Sequence, residues 1–252
     1  MKTKNTNRKE HTMKNTKRKI FVAALALSLV AIISMGSLAW FSDSDSVANN
    51  FMVASSTDDP DDIFSVDVYE YTEPGSTTKE QNGKTYTDVL PGDQLTKEAH
   101  VANTGYYDQY IRVTVTISDA TAWANMLTPS GAFNDATLAA VFEGFDASMW
   151  DMVNSTSTYD ATADTITVVL YYKGILYGTA AVAQNAALTS DITVFDAVNI
   201  PTGMTQQDAI DMDEEFSINV VADAIQTENV GVTNTTPAGQ EAFTAFSYVA
   251  TH

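Results

Sequence analysis

Tyr110-Ile111-Arg112-Val113-Thr114-Val115-Thr116-Ile117 alternates strictly between apolar and polar side chains. Ile111, Val113, Val115 and Ile117 fall on one side; Tyr110, Arg112, Thr114 and Thr116 fall on the other. That period of two marks a strand with one face in a core and the other toward water. Working outward, residues 216–224 place Phe216, Ile218, Val220, Ala222 and Ala224 on one face, and residues 165–172 place Ile166, Val168, Leu170 and Tyr172 on one face. Residues 64–71 alternate Phe64, Val66 and Val68 with Ser65, Asp67 and Tyr69. Shorter strand candidates are 96–102, 148–153, 192–198 and 243–250. Pro91-Gly92-Asp93 and Asn103-Thr104-Gly105 bracket one strand, while Pro74-Gly75, Asn82-Gly83, Pro129-Ser130-Gly131 and Pro201-Thr202-Gly203 mark other turns and connections. Residues 121–127 and 134–145 read as short helical inserts. There is no βαβ rhythm and no internal repeat. The pattern predicts an all-β chain, an antiparallel β-sandwich.

The front of the chain reads differently. Eight of its 13 Lys and Arg residues lie in the first 19 positions, ahead of an apolar run over 20–33 and then Gly36-Ser37-Leu38-Ala39-Trp40-Phe41-Ser42-Asp43. A basic head, an apolar core and small residues Ser37 and Ala39 at −3 and −1 describe an export signal with a helical core, cut before Trp40. Met13 offers a second start with a shorter head. The competing reading is an uncleaved anchor, since 20–42 carries no charge and is long enough to span a bilayer. The small residues and the compact apolar run favour cleavage. The expected organisation is a signal peptide over 1–39, an N-terminal strand segment and acidic linker over 40–62, and the β-sandwich over 63–252. No sorting motif of the Leu-Pro-x-Thr-Gly type occurs.

Cleavage after Ala39 changes the charge. The whole chain carries −19; the remainder has 5 basic residues against 31 acidic ones, or −26. Such a surface repels phosphate backbones, so nucleic acid is not an expected partner. With no cysteine, disulfides, thiolate metal sites and a Cys nucleophile are excluded, and an exported chain must rely on its core.

Ser55-Ser56-Thr57-Asp58-Asp59-Pro60-Asp61-Asp62 is too polar to be core and reads as a linker. Before it, Val47, Asn49, Phe51 and Val53 fall on one strand face, with Trp40 and Phe41 at the new terminus. A freed apolar strand of this kind can add to the sheet of a neighbour. Pairing within its own domain is the alternative.

The segment 36–43 resembles the signal and mature start of the TasA/camelysin family, which is exported through a dedicated SipW-type signal peptidase. Residues 89–98, with Pro91-Gly92-Asp93, and Val101-Ala102-Asn103-Thr104-Gly105 resemble its turn, strand and following turn, and Tyr110-Ile111-Arg112-Val113 continues the match. Residues 171–176, 195–201 and 222–226 resemble later blocks; 121–158 has no counterpart. The resemblance implies a jelly-roll sandwich and a secreted Gram-positive protein of the extracellular matrix or cell surface. It implies self-assembly into biofilm-matrix fibres, in which the N-terminal strand of one subunit (here Trp40, Phe41, Val47, Phe51 and Val53) completes the sheet of the next. The implied partners are further copies of the chain, the signal peptidase, and an accessory matrix protein. The alternatives are a camelysin-like surface metalloendopeptidase and a non-polymerising surface or accessory binding module.

The residues argue against an enzyme. A zinc hydrolase takes three protein ligands and a base. After cleavage only His100 and His252 remain, no His-Glu-x-x-His occurs, and strand parity with Thr96 and Glu98 predicts that His100 faces solvent. There is no Gly-x-Ser-x-Gly elbow, and no pair of acids stands out for glycoside hydrolysis. No cofactor is expected. An all-carboxylate site suits calcium or magnesium better than catalytic zinc; the candidates for calcium are Asp58, Asp59, Asp61 and Asp62 or Asp211, Asp213, Glu214 and Glu215, although neither cluster has EF-hand spacing, and a solvated acidic loop is the ordinary fate of such clusters. Arg112 is expected to find a carboxylate across its sheet. Trp123, Trp150, Tyr106 and Tyr107 are candidates for a sugar-stacking surface, against core or loop packing. A type IV pilin-like subunit is a third reading, but no Gly directly precedes Ile20 and the apolar run has no early Glu.

Overall fold

The computed structural model describes residues 64–71, 76–80, 89–121, 123, 133–203 and 217–251. Among these, the chain runs through β1 (Val66–Tyr71), β2 (Lys79–Glu80), β3 (Gln94–Leu95), β4 (Ala99–Asn103), β5 (Gln109–Ser118), α1 (Asp135–Val141), β6 (Phe142–Glu143), β7 (Thr156–Asp160), β8 (Thr165–Tyr171), α2 (Thr179–Gln184), β9 (Asp191–Phe195), β10 (Ala197–Asn199), β11 (Ile218–Gln226) and α3 (Glu241–Val249). The strands form three sheets, in the orders β2-β1-β4-β9, β3-β10-β6 and β11-β5-β8-β7. Every strand pair is antiparallel. The chain is all-β with a few short helices.

Strand β5 is the axis of the fold. Its four apolar alternates, Ile111, Val113, Val115 and Ile117, are all buried. They meet Ala224, Ala222, Val220 and Ile218 of β11 in register on one side, and on the other Val113, Val115 and Ile117 meet Leu170, Val168 and Ile166 of β8. Burying each such side chain contributes about 1.5–3 kcal/mol. These residues share one continuous core with Val66, Val68 and Val101 of the first sheet and Leu95, Phe142 and Val198 of the second. Trp123 and Trp150 are wholly buried in it.

The turns follow their residues. Gly92 takes φ +90, the left-handed region glycine enters freely. Asp93 donates its N–H to the Leu90 carbonyl at 3.0 Å and accepts from the Leu90 N–H at 2.8 Å. Asn103 is buried. It accepts the Gly105 N–H at 2.9 Å and donates to the Tyr107 and Leu176 carbonyls, each at 2.8 Å.

Several expectations are corrected. Residues 243–250 are not a strand: Glu241–Val249 is helical, with Ala242 and Ala245, three apart, buried against the sheet. The helix forms a second small core with Tyr110 and Val230, against which Tyr171, Ile175, Ile225 and Val232 pack, so the outer face of β5 and β8 is covered at its Tyr110–Tyr171 end, while Arg112, Thr114 and Thr116 stay partly exposed. Residues 148–153 hold no strand beyond a single bridge, Trp150 to Tyr172; Ala147–Met149 is a 3₁₀ turn capped by Asp146. The span 192–198 is two strands broken at Asp196, whose N–H turns to the Glu143 carbonyl at 2.7 Å. The insert at 134–145 is shorter than expected. Asn134 caps α1 by accepting the Thr137 N–H, and the chain is extended again from Phe142. Of the 121–127 insert, Thr121 and Trp123 are described, in a 3₁₀ turn.

Candidate functional site

The residues expected to carry function at the front of the chain (Ser37, Ala39, Trp40, Phe41, Val47, Phe51 and Val53) lie outside the described residues, as do both acidic clusters, 58–62 and 211–215, and His252. The described part contributes a polar cluster on the first sheet and an open strand edge on the third.

The cluster centres on His100, and here the expectation of a solvent-facing strand residue is overturned: His100 is 7% exposed. A bulge between Ala99 and His100 shifts the β4–β9 register. His100 lies opposite Tyr69 of β1 and Thr193 of β9. Its ring stacks on Tyr69 with centroids 5.0 Å apart, and Tyr71 meets it edge-on at 5.0 Å. Its Nδ1 is 3.2 Å from Asp191 Oδ1 and its Nε2 is 2.8 Å from Glu98 Oε1. The Tyr69 hydroxyl donates to the other Asp191 oxygen. Lys79 completes the group, 3.6 Å above the Tyr69 ring and 3.7 Å from Asp191 Oδ2.

The electrostatics follow. Burial alone would lower the pKa of His100, but hydrogen bonds to Asp191 and Glu98, with their charges, outweigh it and raise it. Burial works to raise Asp191, yet His100 and Tyr69 pull it below the usual carboxylate range. Burial, then the hydrogen bond to Asp191, drives the Tyr69 phenol well above its ordinary value. Both imidazole nitrogens face carboxylates, so neither is placed to take a proton from a nucleophile. Thr193 Oγ1 stands 3.5 Å from Nδ1, the nitrogen Asp191 already engages. Among the described residues no three His, Asp or Glu side chains are grouped to hold a metal ion. The cluster acts as a charge-compensated clamp tying β1, β4 and β9 together.

Arg112 has the partner the sequence called for. It lies opposite Asp223 in the β5–β11 register, with Nε 2.9 Å and a terminal nitrogen 2.5 Å from Asp223 Oδ2, and its guanidinium lies over the Phe246 ring at 4.7 Å. The four aromatic residues weighed for sugar stacking are split. Trp123 and Trp150 are fully buried, whereas Tyr106 and Tyr107 are 53% and 54% exposed and pack edge to face, 5.2 Å apart.

The edge is β11. Its residues 218–226 pair with β5 throughout and, among the described residues, with no strand on the other side. Edge strands are commonly blunted by Lys, Pro or bulges. The run Ile-Asn-Val-Val-Ala-Asp-Ala-Ile-Gln has none of these, and its single charge, Asp223, is held by Arg112. The opposite edge, β7, is short, polar and mostly exposed.

Comparison with protein-family models, with curated proteins and with solved structures finds no match to this chain.

Proposed function

We propose that this protein is a secreted structural subunit of the TasA/camelysin kind, cut before Trp40, that builds extracellular matrix fibres by adding the strand of residues 40–54 to the open sheet edge of a neighbour. The observation that carries the reading is the β11 edge: nine residues, apolar in alternation, without Lys, Pro or a bulge, and with no ladder partner on its outer side among the described residues. An added strand gains main-chain hydrogen bonds along the edge, and alternate side chains set its register. Val47, Phe51 and Val53 share one face of the donor segment and offer that alternation. A head-to-tail contact of this type need not close on itself, so it propagates a filament. The jelly-roll form of the sandwich belongs to the same proposal. It is supported by antiparallel pairing between strands distant in sequence: β4 with β9, β3 with β10 and β5 with β11.

Negative-stain electron microscopy of protein beginning at Trp40 tests the reading, beside a deletion of residues 40–54 and the edge variant Ala222→Pro, which removes an N–H directed away from β5. Filaments from the first, and folded monomers from the other two, are the expected results. Filaments of unchanged width from the deletion would refute strand donation; monomers from all three would shift the reading to a non-polymerising surface module.

A further inference from the structure

Two charged side chains occupy positions where strand parity places core. Val66, Val68 and Glu70 alternate on one face of β1, and Leu95, Lys97, Ala99 and Val101 alternate along β3, its following segment and β4. All seven are buried; Glu70 is 1% and Lys97 2% exposed. The Lys97 ammonium and the Glu70 carboxylate are in direct contact. Loss of hydration pulls Lys97 down to about 7. Taking two ions out of water is expensive, and transferring the proton within the pair leaves a neutral amine touching a neutral carboxylic acid, the form an apolar site favours.

We propose that Lys97 and Glu70 condense into an intramolecular amide, a covalent staple between β1 and the segment joining β3 to β4. The Lys97 Nζ lone pair forms the new bond to Glu70 Cδ. The Cδ–OH bond breaks, and the hydroxyl leaves with a proton from the nitrogen as one molecule of water. Nothing is oxidised or reduced, and no co-reactant is consumed. Fixing the two groups in contact replaces a bimolecular encounter by one of very high effective molarity, about 10⁵ M or more for well-oriented pairs. The released water passes to solvent. The link joins residues 27 apart in sequence and restricts the unfolded chain as a disulfide does, in a protein that has no cysteine for that purpose.

The test is mass spectrometry of the purified full chain under denaturing conditions, read against the sequence from its measured N-terminus. The expected mass is lower by one water. Trypsin is expected to leave the bond after Lys97 uncut, and the peptide holding Glu70 to travel with the one holding Lys97. The variant Lys97→Met is expected to return to its sequence mass, a readout that holds whether or not the variant folds. A wild-type mass equal to its sequence, with trypsin cutting after Lys97, would overturn the proposal. So would a water deficit that persists in Lys97→Met.

Discussion

Tyr69 and His100, directly opposite each other in the β1–β4 ladder, stack ring on ring and share one carboxylate: the hydroxyl of the first takes one oxygen of Asp191 and Nδ1 of the second faces the other. Three strands thus meet at one charge pair, and the stability of the first sheet depends on protonation. The folded pKa of His100 is raised, so its contribution is complete below the unfolded histidine value of about 6.5 and is lost as pH rises through the folded value. That of Asp191 is lowered, so its contribution is present above the unfolded value of about 3.9 and is lost as pH falls through the folded one. Thermal melts across pH should show a plateau bounded by these two limbs. In His100→Gln the fall on the alkaline side of the histidine range should flatten; an unchanged profile would mean the clamp contributes nothing.

Asn103 should be costly to replace. Its side chain satisfies one N–H and two carbonyls, and each buried group left unmet costs about 1–3 kcal/mol. Asn103→Ala is expected to lose on the order of 2–4 kcal/mol in urea unfolding, with an unchanged slope. Asn103→Asp should recover nothing, because it turns a buried carboxylate oxygen toward the Tyr107 and Leu176 carbonyls.

Arg112→Met keeps the aliphatic stem but takes the guanidinium from Asp223, a residue 7% exposed, and from the face of the Phe246 ring. Losing a hydrogen-bonded charge partner costs about 1.5–3 kcal/mol. Arg112→Lys should restore less than half, because one ammonium cannot reproduce a planar fork. Denaturant midpoints for the two variants decide it.

Gly144 has φ +76, and a Cβ there would run into the carboxylate of Asp196. Gly144→Ala should therefore destabilise by at least the 1–2 kcal/mol of a left-handed backbone. Gly144→Ala combined with Asp196→Ala should recover most of the steric part, leaving the backbone penalty in the melting curve.

Alternation located the long strands because both sides of β5 are built from it: a residue that pairs in register with apolar neighbours on two strands must itself be apolar every second position. It misread 243–250, where Phe243, Ala245 and Ser247 resemble one strand face. The buried pair is Ala242 and Ala245, and the helix is favoured because it covers Tyr110 and leaves Arg112 over Phe246. It also misplaced His100. Parity put that residue on the outer face correctly, but outer does not mean wet when two tyrosines of β1 and a carboxylate of β9 close over it.

The sequence by itself determined the strand-forming segments, the Pro-Gly-Asp and Asn-x-Gly turns, the need of Arg112 for an acid, and the acidity of everything after Ala39, since each depends on residues near one another in the chain or on a simple count. Only the tertiary structure decided which strands are neighbours, that β11 is an edge, that Asp191 belongs with His100, and that Glu70 belongs with Lys97. The two side-chain pairings join residues 91 and 27 positions apart, and they are selected by the shape of a shared core rather than by any local preference of the chain.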